Sequence, residues 1–162
     1  MRVIGIDPGF GRCGMAIVER LPVQAGGNGR DTLLYSTCVE TDGKQSFAER
    51  LNEVISRCHA LIREYKPDAF AIEKLYFSKN QKTAMQVAEV RGALIQCAQE
   101  ECVSLSEYGP GQIKSAITSS GSADKAAMMK MIPLLIKLER PIRHDDEYDA
   151  IAVALTHLAI AR

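Results

Sequence analysis

The chain predicts an α/β protein, a mixed five-stranded sheet flanked by helices. Three observations support that class. The N-terminal third holds three strand-like segments joined by glycine-rich turns, the middle alternates helical and strand patterns, and the last third is helical. With 162 residues, 46% hydrophobic and 25% charged, residues 1–162 are expected to form one domain with a full core.

Arg2–Ile6 and Gly14–Glu19 flank a tight glycine-rich loop, and Thr32–Glu40 follows the turn signal Gly26-Gly27-Asn28-Gly29. Such short connections favour an antiparallel meander. Over Ser46–Tyr65, Phe47, Leu51, Val54, Ile55, Cys58, Leu61 and Ile62 recur at helical spacing. Ser46 and Glu49 form a capping box at its start, and Pro67 ends it. Ala69–Glu73 is apolar on consecutive residues, as in a strand covered on both faces.

The helix Lys82–Glu100 has two apolar lines, Met85, Ala88, Gly92 and Ile95 on one and Val87, Val90, Leu94 and Ala98 on the other. Such a helix is either covered twice within the protein or lies at an oligomer interface. A short strand, Val103–Glu107, precedes helices over Gly111–Ser119, Ala123–Leu138 and Asp145–Ala161. Ser122 is the expected N-cap of the middle one, and Pro133 should kink or split it. If the strand ending at Glu73 runs parallel to the first, Asp7 and Glu73 emerge side by side at carboxyl ends, where open α/β sheets place their sites.

No apolar run approaches the ~20 residues that span a bilayer. The first residues run directly into a strand without the order of a signal peptide, so no membrane association and a cytoplasmic location are expected. Lys and Arg balance Asp and Glu at 20 each, unlike the basic surplus usual in nucleic-acid binders. Between Gly111 and Arg140, however, five basic residues (Lys114, Lys125, Lys130, Lys137, Arg140) face two acidic ones. The five cysteines have no C-x-x-C spacing, and most read as small buried hydrophobes.

Four acids stand out by their settings. Asp7 ends the first strand before Pro8-Gly9, Glu73 ends the fourth, and Asp146 and Asp149 share one face at the start of the last helix. Together they form an oxygen-only site suited to divalent metals and phosphodiester hydrolysis. Blander readings exist, since Asp-Pro-Gly caps turns and acids suit the first turn of any helix. Glu73 tips the balance, because a charge ending a doubly buried strand is costly unless it is paired or metal-bound. Without metal the acids should repel and their pKa values rise. Asp145 is the alternative to Asp146 if the helix begins later, and His144 reads as an ordinary surface residue.

The ordered set Gly5-Ile6-Asp7-Pro8-Gly9, Ala71-Ile72-Glu73-Lys74 with Phe77-x-Lys79-Asn80, Val90-Arg91-Gly92, and Asp149-Ala150-x-Ala152-x-Ala154 with Thr156-His157 resembles the RuvC family of Holliday junction resolvases. The match runs over essentially the whole chain. The resemblance implies a ribonuclease H-like fold, a homodimer on four-way junction DNA, and paired nicks on opposing strands. It further implies Mg2+, two ions per site, with Mn2+ as the alternative, and the RuvA and RuvB branch-migration proteins as partners. By motif position the catalytic and metal-binding acids are Asp7, Glu73, Asp146 and Asp149. DNA contacts fall on Tyr76, Lys79, Lys114 and Lys125, although lysines on helices are often only solvated surface. Tyr76 stands where phenylalanine is usual. The rival readings are a related nuclease acting on RNA, an inactive junction-binding module, and an ATP-binding protein using Gly5–Gly14 as a phosphate loop.

Overall fold

The structure is a computed structural model describing residues 1–21, 31–75, 81–138 and 140–161. β1 (Arg2–Asp7), β2 (Arg12–Glu19) and β3 (Asp31–Glu40) form the expected antiparallel meander. β4 (Ala69–Glu73) pairs parallel to β1, and β5 (Ser104–Tyr108) pairs parallel to β4. The sheet order is β5-β4-β1-β2-β3-β6.

That order contains one strand more than the five expected. β6 is only Ile136–Lys137, pairing parallel with Asp31 and Thr32 of β3. Two residues are too few to carry a periodic signal, so this stretch read as the end of a helix reaching Leu138. Pro133 contributes no backbone N–H to the last turn. The helix stops at Leu135, Ile136 turns extended, and the free edge of β3 takes up its backbone groups.

α1 (Phe47–Tyr65) begins at the predicted capping box. Ser46 Oγ accepts from the Glu49 amide at 3.3 Å, and Glu49 Oε2 accepts from the Ser46 amide at 2.8 Å. α2 (Gln81–Glu100), α3 (Pro110–Thr118), α4 (Lys125–Leu135) and α5 (Asp145–Ile160) follow. Asp124, rather than Ser122, caps α4, accepting from the Ala127 amide at 2.8 Å. Aspartate caps as well as serine, and it adjoins the first helical residue.

Alternation along the strands sends neighbouring side chains to opposite faces. Ile4, Ile6, Met15, Ile17, Phe70 and Ile72 pack with α1 and α2 on one side. Val3, Ala16, Val18, Ala69 and Ala71 pack with α3, α4 and α5 on the other. In α2 the line Val90, Leu94 and Ala98 is buried in the core. The second line is largely exposed among the described residues. Met85 is 70% exposed, Ala88 and Gly92 are exposed, and Ile95 is half-buried.

Candidate active site

Because β1 and β4 run parallel and in register, their last residues, Asp7 and Glu73, leave the sheet at one edge. α5 crosses the same edge, with Asp145 and Asp146 in its first turn and Asp149 one turn later. Two glycines set how closely it lies on the sheet. A Cβ at Gly5 would fall within 3.0 Å of Ala150 O, Ala154 N and Ala154 Cβ, and one at Gly14 within 3.0 Å of the Asp146 carbonyl. Only bare backbone at these positions lets the start of α5 reach Asp7.

The electrostatics mark a single cluster. Burial, then repulsion from Asp149, Glu73 and Asp146, pushes the Asp7 carboxyl up to about 8, with Lys125 opposing the rise. Glu73 is raised by burial and by Asp149, against the pull of Lys114 and Lys125. Asp149 is raised by burial despite its hydrogen bond from Lys125. Carboxylates that perturb one another in this way must be close together in a poorly solvated place.

Asp145 and Asp146 point differently. Lys125 Nζ donates to Asp145 Oδ2 at 2.7 Å and to Asp149 Oδ2 at 2.9 Å. That bond holds the Asp145 carboxyl down at about 2. For Lys125 itself, burial would lower the pKa, but its two aspartate partners prevail and raise it. The Asp145 side chain is 42% exposed and that of Asp146 only 17%. Asp146 is also among the groups that repel the Asp7 charge, whereas Asp145 is not. Arg12 spans both, with Nε 3.4 Å from Asp146 Oδ2 and Nη1 3.7 Å from Asp145 Oδ1.

Two adjoining clefts share Glu73 and Pro110. One, of about 210 Å³, is lined by Lys114, Lys125 and Asp149, and the other, of about 260 Å³, by Asp7, Pro8 and Lys74. Lys114 and Lys125, two of the three lysines selected in the sequence, therefore border the acids. A larger cavity of about 550 Å³, bordered by Arg140, Arg143 and His144, contains none of the four acids. Chemistry rather than size marks the site. Its donors are all carboxylate oxygens, which suits a hard divalent cation. Positive charge is already drawn to them, through the Lys125 ammonium on Asp149 and the Arg12 guanidinium beside Asp146. Tyr76, Phe77, Lys79 and Asn80 lie outside the described residues.

Several supporting groups had no partner legible in the sequence. Arg12, the first residue of β2, has only its place shortly after Asp7 to recommend it. Arg91, inside the Val90-Arg91-Gly92 motif, donates from Nε to the Glu73 carbonyl at 3.1 Å and pairs with Glu107. Tyr108, the register partner of Glu73, has its hydroxyl 2.9 Å from His157 Nδ1. Buried Glu147 accepts from Ser36 Oγ at 2.6 Å and from Arg140 at 2.9 Å, anchoring the start of α5 to β3.

A family profile described as crossover junction endodeoxyribonuclease RuvC matches residues 3–157. The protein of that name from Brachyspira hyodysenteriae is 42% identical over 157 residues, covering 97% of this chain and 93% of its own. The Thermus thermophilus RuvC structure superposes with a TM-score of 0.88 at 30% identity, over 99% of this chain and 95% of that one. The same protein in complex with a Holliday junction substrate gives 0.86 at 28% identity, with equal coverage. The mixed sheet with flanking helices is thus of the ribonuclease H-like type. Acids gathered from the ends of β1 and β4 and the start of α5, a profile match over nearly the whole chain and relatives of this likeness agree, and the chain belongs to the RuvC family of crossover junction endodeoxyribonucleases.

Proposed function

We propose that this protein resolves four-way DNA junctions by metal-dependent, paired nicks on opposing strands, with Asp7, Glu73, Asp146 and Asp149 as its catalytic acids. One observation carries the proposal. Burial, together with acids from two other elements, pushes the Asp7 carboxyl up to about 8, a cost without purpose unless cations are bound there. The relative solved in complex with a Holliday junction substrate supports four-way DNA as the substrate. An intact quartet disfavours an inactive binding module.

Magnesium, two ions per site with manganese as the alternative, would supply an activated water and relief of charge on the phosphorane. The four carboxylates would hold that charge. Asp7 lies at the centre, Glu73 and Asp149 border the cleft, and Asp146 closes the side towards β3. Lys125 is poised to exchange Asp149 for a phosphate oxygen once cations neutralise the aspartate. Lys114, in the same cleft, would neutralise backbone charge beside the cut strand. Tyr76 and Lys79 are assigned to the junction by motif position alone, Tyr76 to stack on an unpaired base.

We further assign residues 1–162 to one nuclease domain working in the cytoplasm as a homodimer, with RuvA and RuvB as its branch-migration partners. The largely exposed line Met85, Ala88, Gly92 and Ile95 on α2 supports the dimer, since a Cβ on Gly92 would meet nothing within 4 Å. Met85→Glu should yield folded monomers in sedimentation, and unchanged dimers would remove α2 from the interface. The decisive test is cleavage of a synthetic four-way junction with Mg2+ beside linear duplex and an Asp7→Asn control. Paired nicks confined to the junction and lost in the variant are expected. Cleavage of RNA with no action on the junction would overturn the reading.

A further inference from the structure

Outside the carboxylate quartet, three side chains bring metal-binding atoms together where β3 ends and α5 begins. Cys38 and Glu40 stand two apart on β3 and so leave the same face of the strand. His144 is the N-cap residue of α5, and its side chain makes no capping hydrogen bond. Cys38 Sγ, a Glu40 carboxylate oxygen and a His144 ring nitrogen all lie within 4.8 Å of one another. His144 Nδ1 is 3.4 Å from Glu40 Oε1, and Cys38 Sγ faces Asp146 Oδ2 at 3.8 Å. Cys38 and His144 are half-buried and border the cavity of about 550 Å³, so an ion can reach them from solvent.

The donor set separates this place from the catalytic acids. Sulfur, imidazole nitrogen and a single carboxylate suit a borderline ion of the zinc type, whereas magnesium prefers oxygen alone. Ligands of a tetrahedral zinc lie about 3.5 Å apart. The trio must therefore close by about 1 Å, a movement within reach of side chains no more than half-buried. Asp146, whose Oδ2 lies 3.8 Å from Cys38 Sγ though outside the trio's mutual spacing, can supply a further oxygen, and it is also the acid that closes the catalytic cluster on this side.

We propose that Cys38, Glu40 and His144, with Asp146 as fourth ligand, form a site for a zinc-class divalent cation that withdraws Asp146 from the catalytic cluster. Occupancy of this site and activity are then mutually exclusive. The binding half stands on the donor geometry alone, and the inhibitory half rests on the function proposed above.

Cobalt(II), which reports a thiolate ligand by a near-ultraviolet charge-transfer band, is the probe. Titrated into the full-length chain, it should give one such band at one equivalent. Cys38→Ser should abolish the band, and His144→Ala and Asp146→Asn should each weaken binding more than about tenfold. Cys102→Ser, at the exposed cysteine elsewhere on the surface, should leave the band intact. Absence of a thiolate band in the parent protein, or its survival in Cys38→Ser, overturns the site. In parallel, the ratio of Mg2+-driven junction cleavage with and without Zn2+ should fall in the parent and not in Cys38→Ser. An equal fall in both overturns the withdrawal of Asp146. A chain that cuts no junction under any condition would defeat the proposed function while the cobalt band still decides the site.

Discussion

On one face of the sheet, Ile4, Ile6, Met15, Ile17, Phe70 and Ile72 meet α1 and α2 through large side chains. On the other, Gly5, Gly14 and Ala16 meet α5 almost backbone to backbone. Both interfaces are buried, yet they do different work. Large side chains bury area and accommodate small changes by adjusting rotamers. Backbone against backbone has no rotamer to adjust, so the position of α5, and with it Asp146 and Asp149 over Asp7, is fixed by the absence of a methyl group. Bulk on one side supplies stability, and bareness on the other supplies geometry.

Two changes of one carbon in β2, on opposite faces, test this contrast, and a third change separates geometry from charge. Gly14→Ala should have the largest effect on stability. The new Cβ meets the Asp146 carbonyl, which cannot step aside without moving the start of α5. We expect a loss of about 3 kcal/mol in stability and about 100-fold in junction cleavage, read by thermal unfolding and by rate on the folded protein. Normal cleavage would show that the close approach does not set the site.

Asp7→Asn comes next, with the opposite sign for stability. The Asp7 carboxyl titrates near 8 in the folded, metal-free protein against 3.8 when unexposed to its neighbours. Between those values the folded state holds the extra proton, so metal-free stability must fall as pH rises from about 4 to about 8. At pH 8 the variant should be more stable than the parent by about 1–2 kcal/mol in chelator, while its cleavage is lost. It should also flatten the dependence of the melting temperature on pH across that window. A parent whose stability rises with pH from 5 to 8 for reasons traceable to Asp7 would contradict the crowding described here.

Ile17→Val should have the smallest effect. It removes one methylene from the large-side-chain face, where Ile17 is fully buried. A cost of about 1 kcal/mol is expected, with cleavage by the folded protein unchanged. A cleavage defect comparable to that of Gly14→Ala would erase the distinction between the faces.

The parts of the molecule legible in sequence were those with a repeating or local signature. The capping box at Ser46 and Glu49, the buried run before Glu73 and the antiparallel meander all act within a few residues, and the structure contains each of them, while the turn signal Gly26-Gly27-Asn28-Gly29 lies outside the described residues. β6 escaped because two residues have no period, and the Ser122 cap yielded to Asp124 because both are good caps and only the helix phase chooses. Asp145 and Asp146 could not be separated in sequence, since one residue of helix phase decides which turns inward. Arg12, Arg91 and the Ser36–Arg140–Glu147 network join residues far apart in the chain, and no local pattern announces such partners.

The docking of α5 has a consequence during biosynthesis. Asp7 is made early, and Asp146 follows roughly 140 residues later. At ~5–20 residues per second, about 7–30 s pass before the ribosome supplies the acids that complete the cluster. Until α5 has been released and has settled against Gly5 and Gly14, the nascent chain carries half a nuclease. On the proposed assignment of the acids, a message cut short anywhere before α5 yields a product lacking Asp146 and Asp149, two of the four groups that would hold the cations.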